Sequence, residues 1–299
     1  MTDGATFAER VHARVRALGS RVCLGIDPRP HAHPSTHPER FAGDPAKTAR
    51  AVVAYVRAVL DATDDLIACA KPQSAFFEAL GVPGVIALAQ VLADLRERGI
   101  PAILDAKRGD IGSTAEAYAA AYLADGVFAA DALTVNAYLG LDTLEPFLAA
   151  ALAGHRGLFA LVKTSNPGSG DLQDLATEDG RKVHERLADA LAARAERLPA
   201  DADGYTALGA VVGATYPAEL TAARARLPRS LLLVPGYGAQ GGRGDDVAGA
   251  FDATGVGAVV NASRTLLYPT AGDDVGPAAR AAALAMRDDL NRALEARGR

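Results

Sequence analysis

Within the stretch ILDAKRGDIGSTAE, Asp105 and Lys107 stand two residues apart and Asp110 follows three later. A spacing of two puts side chains on one side of an extended strand. The run therefore sets a carboxylate beside an ammonium, with a second carboxylate in the loop beyond. Lys71, which closes the apolar run LIACAKP, supplies a fourth charge from a neighbouring strand. Alternating charges keep one another ionised and oriented. A reaction that develops charge needs such surroundings in place beforehand. A lone Asp-x-Lys is as often an ion pair that merely ties strands together. Four charges converging at strand ends read better as a site.

A second constellation pairs PGYGAQGG (235–242) with NASRTLLYP (261–269). Gly236, Gly238, Gly241 and Gly242 would let backbone N–H groups approach an anion, and Arg264 would grip it with two N–H bonds. Phosphate binding is the favoured reading of the pair. Other features are less telling. His31, His33 and His37 lie among prolines in RPHAHPSTHPER, which suggests an irregular exposed loop rather than a metal site. Lys163, two residues before Ser165, is read as a structural or rim residue and not as a Schiff-base lysine. Cys23 and Cys69 sit in apolar runs and are expected to be buried, reduced thiols. Without a CxxC or a Cys/His cluster, a structural zinc site is not expected.

Eight short apolar runs must position these residues: 21–27, 66–72, 101–108, 132–138, 158–165, 208–215, 230–236 and 257–263. They are continuous rather than alternating, as in parallel strands covered by helices on both faces. Helical periodicity fills the intervals, for example over 82–99 and over 112–126, where Ser113 and Glu116 would form a capping box. Eight alternations predict a single (β/α)8 TIM barrel over residues 1–299. An extra N-terminal helix (about 5–18), a trailing helix (about 275–296) and long loops after strand 1 (28–44) and strand 5 (166–178) account for the excess over ~250 residues. A doubly wound sheet would place GxGxxG after its first strand, where this chain has Asp27-Pro28-Arg29-Pro30. With 49% hydrophobic and 22% charged residues the composition is that of a globular protein. A net charge of −5 argues against a nucleic-acid partner. No run is long enough for a membrane span and no leader is evident, so a cytoplasmic location is expected.

DAKRGD at 105–110, Lys71, the strand ending at Asp27, TSNPG at 164–168, PGYGAQGG and the Arg264 turn together resemble the orotidine 5′-phosphate decarboxylase family, in the long (type 2) form of some bacteria. The resemblance runs from about residue 20 to 270. Asp-x-Lys-x-x-Asp alone is shared with metal-dependent sugar-phosphate decarboxylases and aldolases of the wider superfamily, which form the alternative. Lys71, which replaces a metal-binding acid of the 3-keto-gulonate 6-phosphate relatives, joins Ser165-Asn166-Pro167 and Gln240 in favouring the former. The resemblance implies metal-free and cofactor-free decarboxylation of orotidine 5′-monophosphate to uridine 5′-monophosphate, the last step of pyrimidine synthesis. It implies that Lys107 protonates C6 and stabilises the carbanion. Asp105 would lie near the substrate carboxylate, either straining the ground state or positioning Lys107. Lys71 and Asp27 would bind ribose hydroxyls, Ser165 the pyrimidine edge, and Gln240 and Arg264 the phosphate. It further implies a homodimer in which Asp110 and Thr114 serve the partner subunit's site, and a lid beginning at Gln240-Gly241-Gly242.

Overall fold

Eight strands, β1 (Val22–Ile26), β2 (Cys69–Pro72), β3 (Ile103–Arg108), β4 (Ala132–Val135), β5 (Gly157–Lys163), β6 (Leu208–Val212), β7 (Leu232–Pro235) and β8 (Ala258–Ala262), form one parallel sheet in the computed structural model. The structure describes residues 4–238, 241–270 and 272–298. Neighbours run β2-β1-β8-β7-β6-β5-β4-β3, and the two ends meet. There the bridges Ala70↔Ala102 and Gln73↔Asp105, with the Ala70 N–H bonded to the Pro101 carbonyl at 3.0 Å, close a (β/α)8 TIM barrel. Among the described residues the β2–β3 seam is joined by isolated bridges and not by a ladder. The strands are shorter than the apolar runs: β4 stops at Val135, and Asn136 Oδ1 then accepts the Tyr138 N–H at 3.0 Å to begin the loop.

Burial on both faces explains the continuous runs. Val22, Leu24 and Ile26 of β1 pack outward on the helices, while Cys23 joins the barrel interior. That interior is stoppered at its amino-terminal end by the leading helix, Phe7–Leu18, whose Phe7, Val11 and Val15 pack with Cys69, Ile103, Phe159 and Val259. The helix starts from a capping box: the Glu9 N–H donates to Thr6 Oγ1 and the Thr6 N–H to Glu9 Oε2. Gly157 makes room for Phe7, since a Cβ there would stand 2.7 Å from the ring. Both cysteines are free and buried.

Two local expectations are corrected. The helix Gly112–Leu123 carries no Ser113–Glu116 capping box; it follows Ile111 without a side-chain cap, and Asp110 Oδ1 accepts the Ile111 N–H at 2.8 Å instead. The loop after β1 is ordered by three 3-10 turns, each opened by a proline. His33 within it is buried, not exposed, and its Nε2 faces the Gly272 carbonyl at 3.0 Å. No helix among the described residues is long and apolar enough to cross a membrane.

Candidate active site

Asp105, on β3, is the hub of the carboxyl-end face of the barrel. Its Oδ2 accepts from Lys71 Nζ at 2.8 Å and from Gln73 Nε2 at 2.9 Å. Its Oδ1 accepts from Lys107 Nζ at 2.6 Å and from Thr134 Oγ1 at 2.9 Å. Asp105 and Lys107 do meet, but not by simple strand alternation. Lys107 is left-handed (φ 47°), and the β3–β4 register shifts between Leu104 and Arg108. A non-glycine residue costs about 1–2 kcal/mol in this conformation. The Lys107 N–H is held there by Thr134 Oγ1 at 2.9 Å.

Burial fixes the electrostatics. Asp105 is 6% exposed and Lys71 4%. Burial alone would raise the Asp105 pKa, but the ammoniums of Lys71 and Lys107 outweigh it and hold the carboxyl well below the usual range. Burial alone would lower Lys71; Asp105 and then Asp27 outweigh it and raise its pKa. Asp105 and Lys71 thus stay ionised across the physiological range. Asp27 Oδ1 lies 4.0 Å from Lys71 Nζ and is buried without a hydrogen-bond partner among the described residues. It is an acceptor suited to a ligand hydroxyl.

A cavity of about 220 Å³ opens beside the array, lined by Asp27, Lys71 and Asp105 from β1–β3 and by Gly236, Ser263 and Arg264 from β7–β8. Arg264 is exposed and makes no ion pair among the described residues. The glycines of the preceding turn play a different part from the one expected. The N–H groups of Gly238, Gly241 and Gly242 bond to carbonyls within the turn (2.9, 2.8 and 3.3 Å), so they do not face an anion. These glycines serve the backbone itself, with Gly236, Gly238 and Gly241 at φ 107°, 70° and 91°. Gln240 lies outside the described residues.

The structure thus brings Asp27, Lys71, Asp105 and Lys107 together; Asp27, Lys71, Asp105 and Arg264 line the cavity, and Lys107 adjoins it through its bond to Asp105. Asp110 makes no ion pair with this array among the described residues, and Thr114 is exposed on the helix after β3. Ser165 is half-buried in the loop after β5 and does not line the cavity. Gln73 and Thr134 are residues that sequence reasoning missed. Both left signals: Gln73 is two residues beyond Lys71, and Thr134 is the polar interruption of an apolar strand.

Comparison with known proteins agrees with this geometry. Residues 20–279 match the orotidine 5′-phosphate decarboxylase / HUMPS family. The orotidine 5′-phosphate decarboxylase of Deinococcus radiodurans is 47% identical over 293 residues, covering 97% of this chain and 98% of that one. The enzyme of that name from Rhodopirellula baltica is 43% identical over 302 residues, covering 95% and 99%. Among solved structures, Leishmania donovani OMP decarboxylase superposes with a TM-score of 0.77 at 34% identity, covering 97% of this chain and 99% of that one.

Proposed function

The chain belongs to the orotidine 5′-phosphate decarboxylase / HUMPS family and decarboxylates orotidine 5′-monophosphate to uridine 5′-monophosphate and carbon dioxide; we propose that Lys107, Asp105, Lys71 and Arg264 divide the work as follows. Arg264 holds the phosphate at the β7–β8 side of the cavity. Asp27, with its unpartnered carboxylate oxygen, and Lys71 take the ribose hydroxyls. As the bond from C6 to the carboxylate breaks, its electron pair stays on C6, and Lys107 Nζ delivers a proton there. Solvent then reprotonates the amine. Asp105, bonded to Lys107 Nζ at 2.6 Å, keeps the ammonium aimed. Because its environment is set before substrate arrives, the array stabilises the developing carbanion without reorganising. Gln240 is assigned to the phosphate and Ser165 to the pyrimidine edge on resemblance, with residues 1–299 acting as one domain.

We further propose a homodimer in which Asp110 and Thr114 complete the partner's site. Among the described residues Asp110 makes no ion pair with the array of its own chain; Ile111 next to it is exposed, as are Val82, Ile86, Tyr138 and Leu139 on the segments after β2 and β4.

The observation that carries the reaction is one carboxylate clasped between two ammoniums beside a cavity that ends at Arg264, which has no ion-pair partner among the described residues. Both oxygens of Asp105 are already engaged by cations, so the array itself supplies the positive charge that the reaction needs. The test is the fall in orotidine 5′-monophosphate absorbance on adding purified protein with chelator. No change refutes the reading, and activity that requires added magnesium moves it to the metal-dependent relatives.

A further inference from the structure

Lys163, the last residue of β5, is 1% exposed. Burying an ammonium is costly unless partners surround it. Asp174 Oδ2 lies at 2.8 Å, Glu219 Oε2 at 3.9 Å and the Tyr216 ring centroid at 5.0 Å. Lys182 reaches the same two carboxylates at 3.2 and 2.9 Å. Asp174, His184 and Glu219 present ligand atoms within 4.8 Å of one another, as a metal site would. Two ammoniums already balance the two carboxylates, so the cluster is an ion-pair network.

What the network restrains is the loop after β5. Asp174 pins the far end of that loop to Lys163 at its base. Gln173 adds a second tie: its Oε1 accepts the Thr164 N–H at 2.9 Å and its Nε2 donates to Thr164 Oγ1 at 2.8 Å. Ser165 follows directly. On its other side Gly213 packs so closely that a Cβ there would stand 3.0 Å from Ser165 Cβ and 3.1 Å from its backbone nitrogen. An apolar residue at 163 would fill the same volume, but only a charged pair specifies which loop residue must sit beside it.

We propose that Lys163 and Asp174 are positioning residues that act through Ser165 and so set recognition of the substrate's base. The inference rests on the reaction and the Ser165 role assigned above. Lys163→Met should weaken uridine 5′-monophosphate binding on the order of tenfold while leaving ribose 5-phosphate, which lacks the base, within about twofold. In a Ser165→Ala background the same substitution should add no further loss for the nucleotide. Equal weakening of both ligands, or an undiminished loss in the Ser165→Ala background, overturns the proposal. If Lys163→Met does not fold, Gln173→Ala at its half-buried position is read in the same way. Turnover of orotidine 5′-monophosphate by the unmodified protein is measured alongside. Its absence refutes the assigned reaction and this inference together, whereas turnover with unselective weakening refutes the positioning role alone.

Discussion

Replacing Thr134 by valine removes one hydroxyl and almost no volume, yet that hydroxyl joins Asp105 and Lys107, the two residues proposed to carry the reaction. It donates to Asp105 Oδ1 at 2.9 Å and accepts the Lys107 N–H at 2.9 Å, at a position 1% exposed. Losing a bond to a charged acceptor costs roughly 1.5–3 kcal/mol, and stranding the part-buried Lys107 N–H adds at most roughly 1 kcal/mol. The two losses share one site and partly relax together, so about 1.5–3 kcal/mol of stability should go. The catalytic consequence follows from Lys107 being left-handed. Released from Thr134, its backbone can return to an extended conformation and carry the ammonium away from C6. Displacement of that kind lowers kcat/KM by about 100-fold. Urea unfolding should show a lower midpoint at an unchanged m value, and the absorbance assay should show the fall in kcat/KM. A variant within about 0.5 kcal/mol of the parent and with unchanged kcat/KM would refute the argument that Thr134 holds Lys107 in place.

The remaining expectations concern charge. Lys107→Ala should lower kcat by at least ~10³-fold while nucleotide binding stays measurable by calorimetry. Arg264→Ala should weaken uridine 5′-monophosphate by about 10- to 100-fold and uridine hardly at all; equal losses would remove it from the phosphate site. Mixing inactive Lys107→Ala and Asp110→Ala subunits should restore activity, because a heterodimer pairs both intact residues at one interface. No recovery despite proven subunit exchange excludes a shared site. His12 is fully buried, its Nε2 accepting the Gly257 N–H and its Nδ1 facing Asp203. Burial lowers its pKa from 6.5 despite Asp203, so the unfolded chain takes the proton more readily than the folded one. Its contribution to stability is complete above pH 6.5 and is lost as pH falls through the lower folded value. His12→Gln should flatten that part of the urea-midpoint profile between pH 8 and 5.

Much of the barrel was legible because burial on two faces leaves an unmistakable run of apolar residues for each strand. Asp105, Lys107 and Lys71 could be found because a charge that ends such a run demands partners. What escaped depends on register between strands. Nothing local tells that Thr134 lies against Asp105 or that Gln73 bridges to it, since both contacts are set by how β2, β3 and β4 slide past one another. The left-handed turn at Lys107 was equally hidden, because lysine has no preference that announces it. Ser113 and Glu116 had the spacing of a capping box, but the helix begins at Gly112, two residues too early for Ser113 to stand outside it. The glycines of 235–242 were correctly singled out and misassigned, since a glycine that frees an N–H for a ligand and one that only permits a tight turn look alike in sequence.

Isolated bridges join β2 to β3, where β2 and β1 share an unbroken ladder, and the side chains of Lys71 and Gln73 reach across that seam to Asp105. The groups that prepare the reaction also lace the ring shut. A circular permutant opened at Gly99, in the connection between the two strands, would sever the chain where the sheet is joined by isolated bridges and not by a ladder. Its β2–β3 junction would then rest on the Ala70↔Ala102 and Gln73↔Asp105 bridges and on the bonds of Lys71 and Gln73 to Asp105, so that loading the pocket with ligand should help to close the barrel.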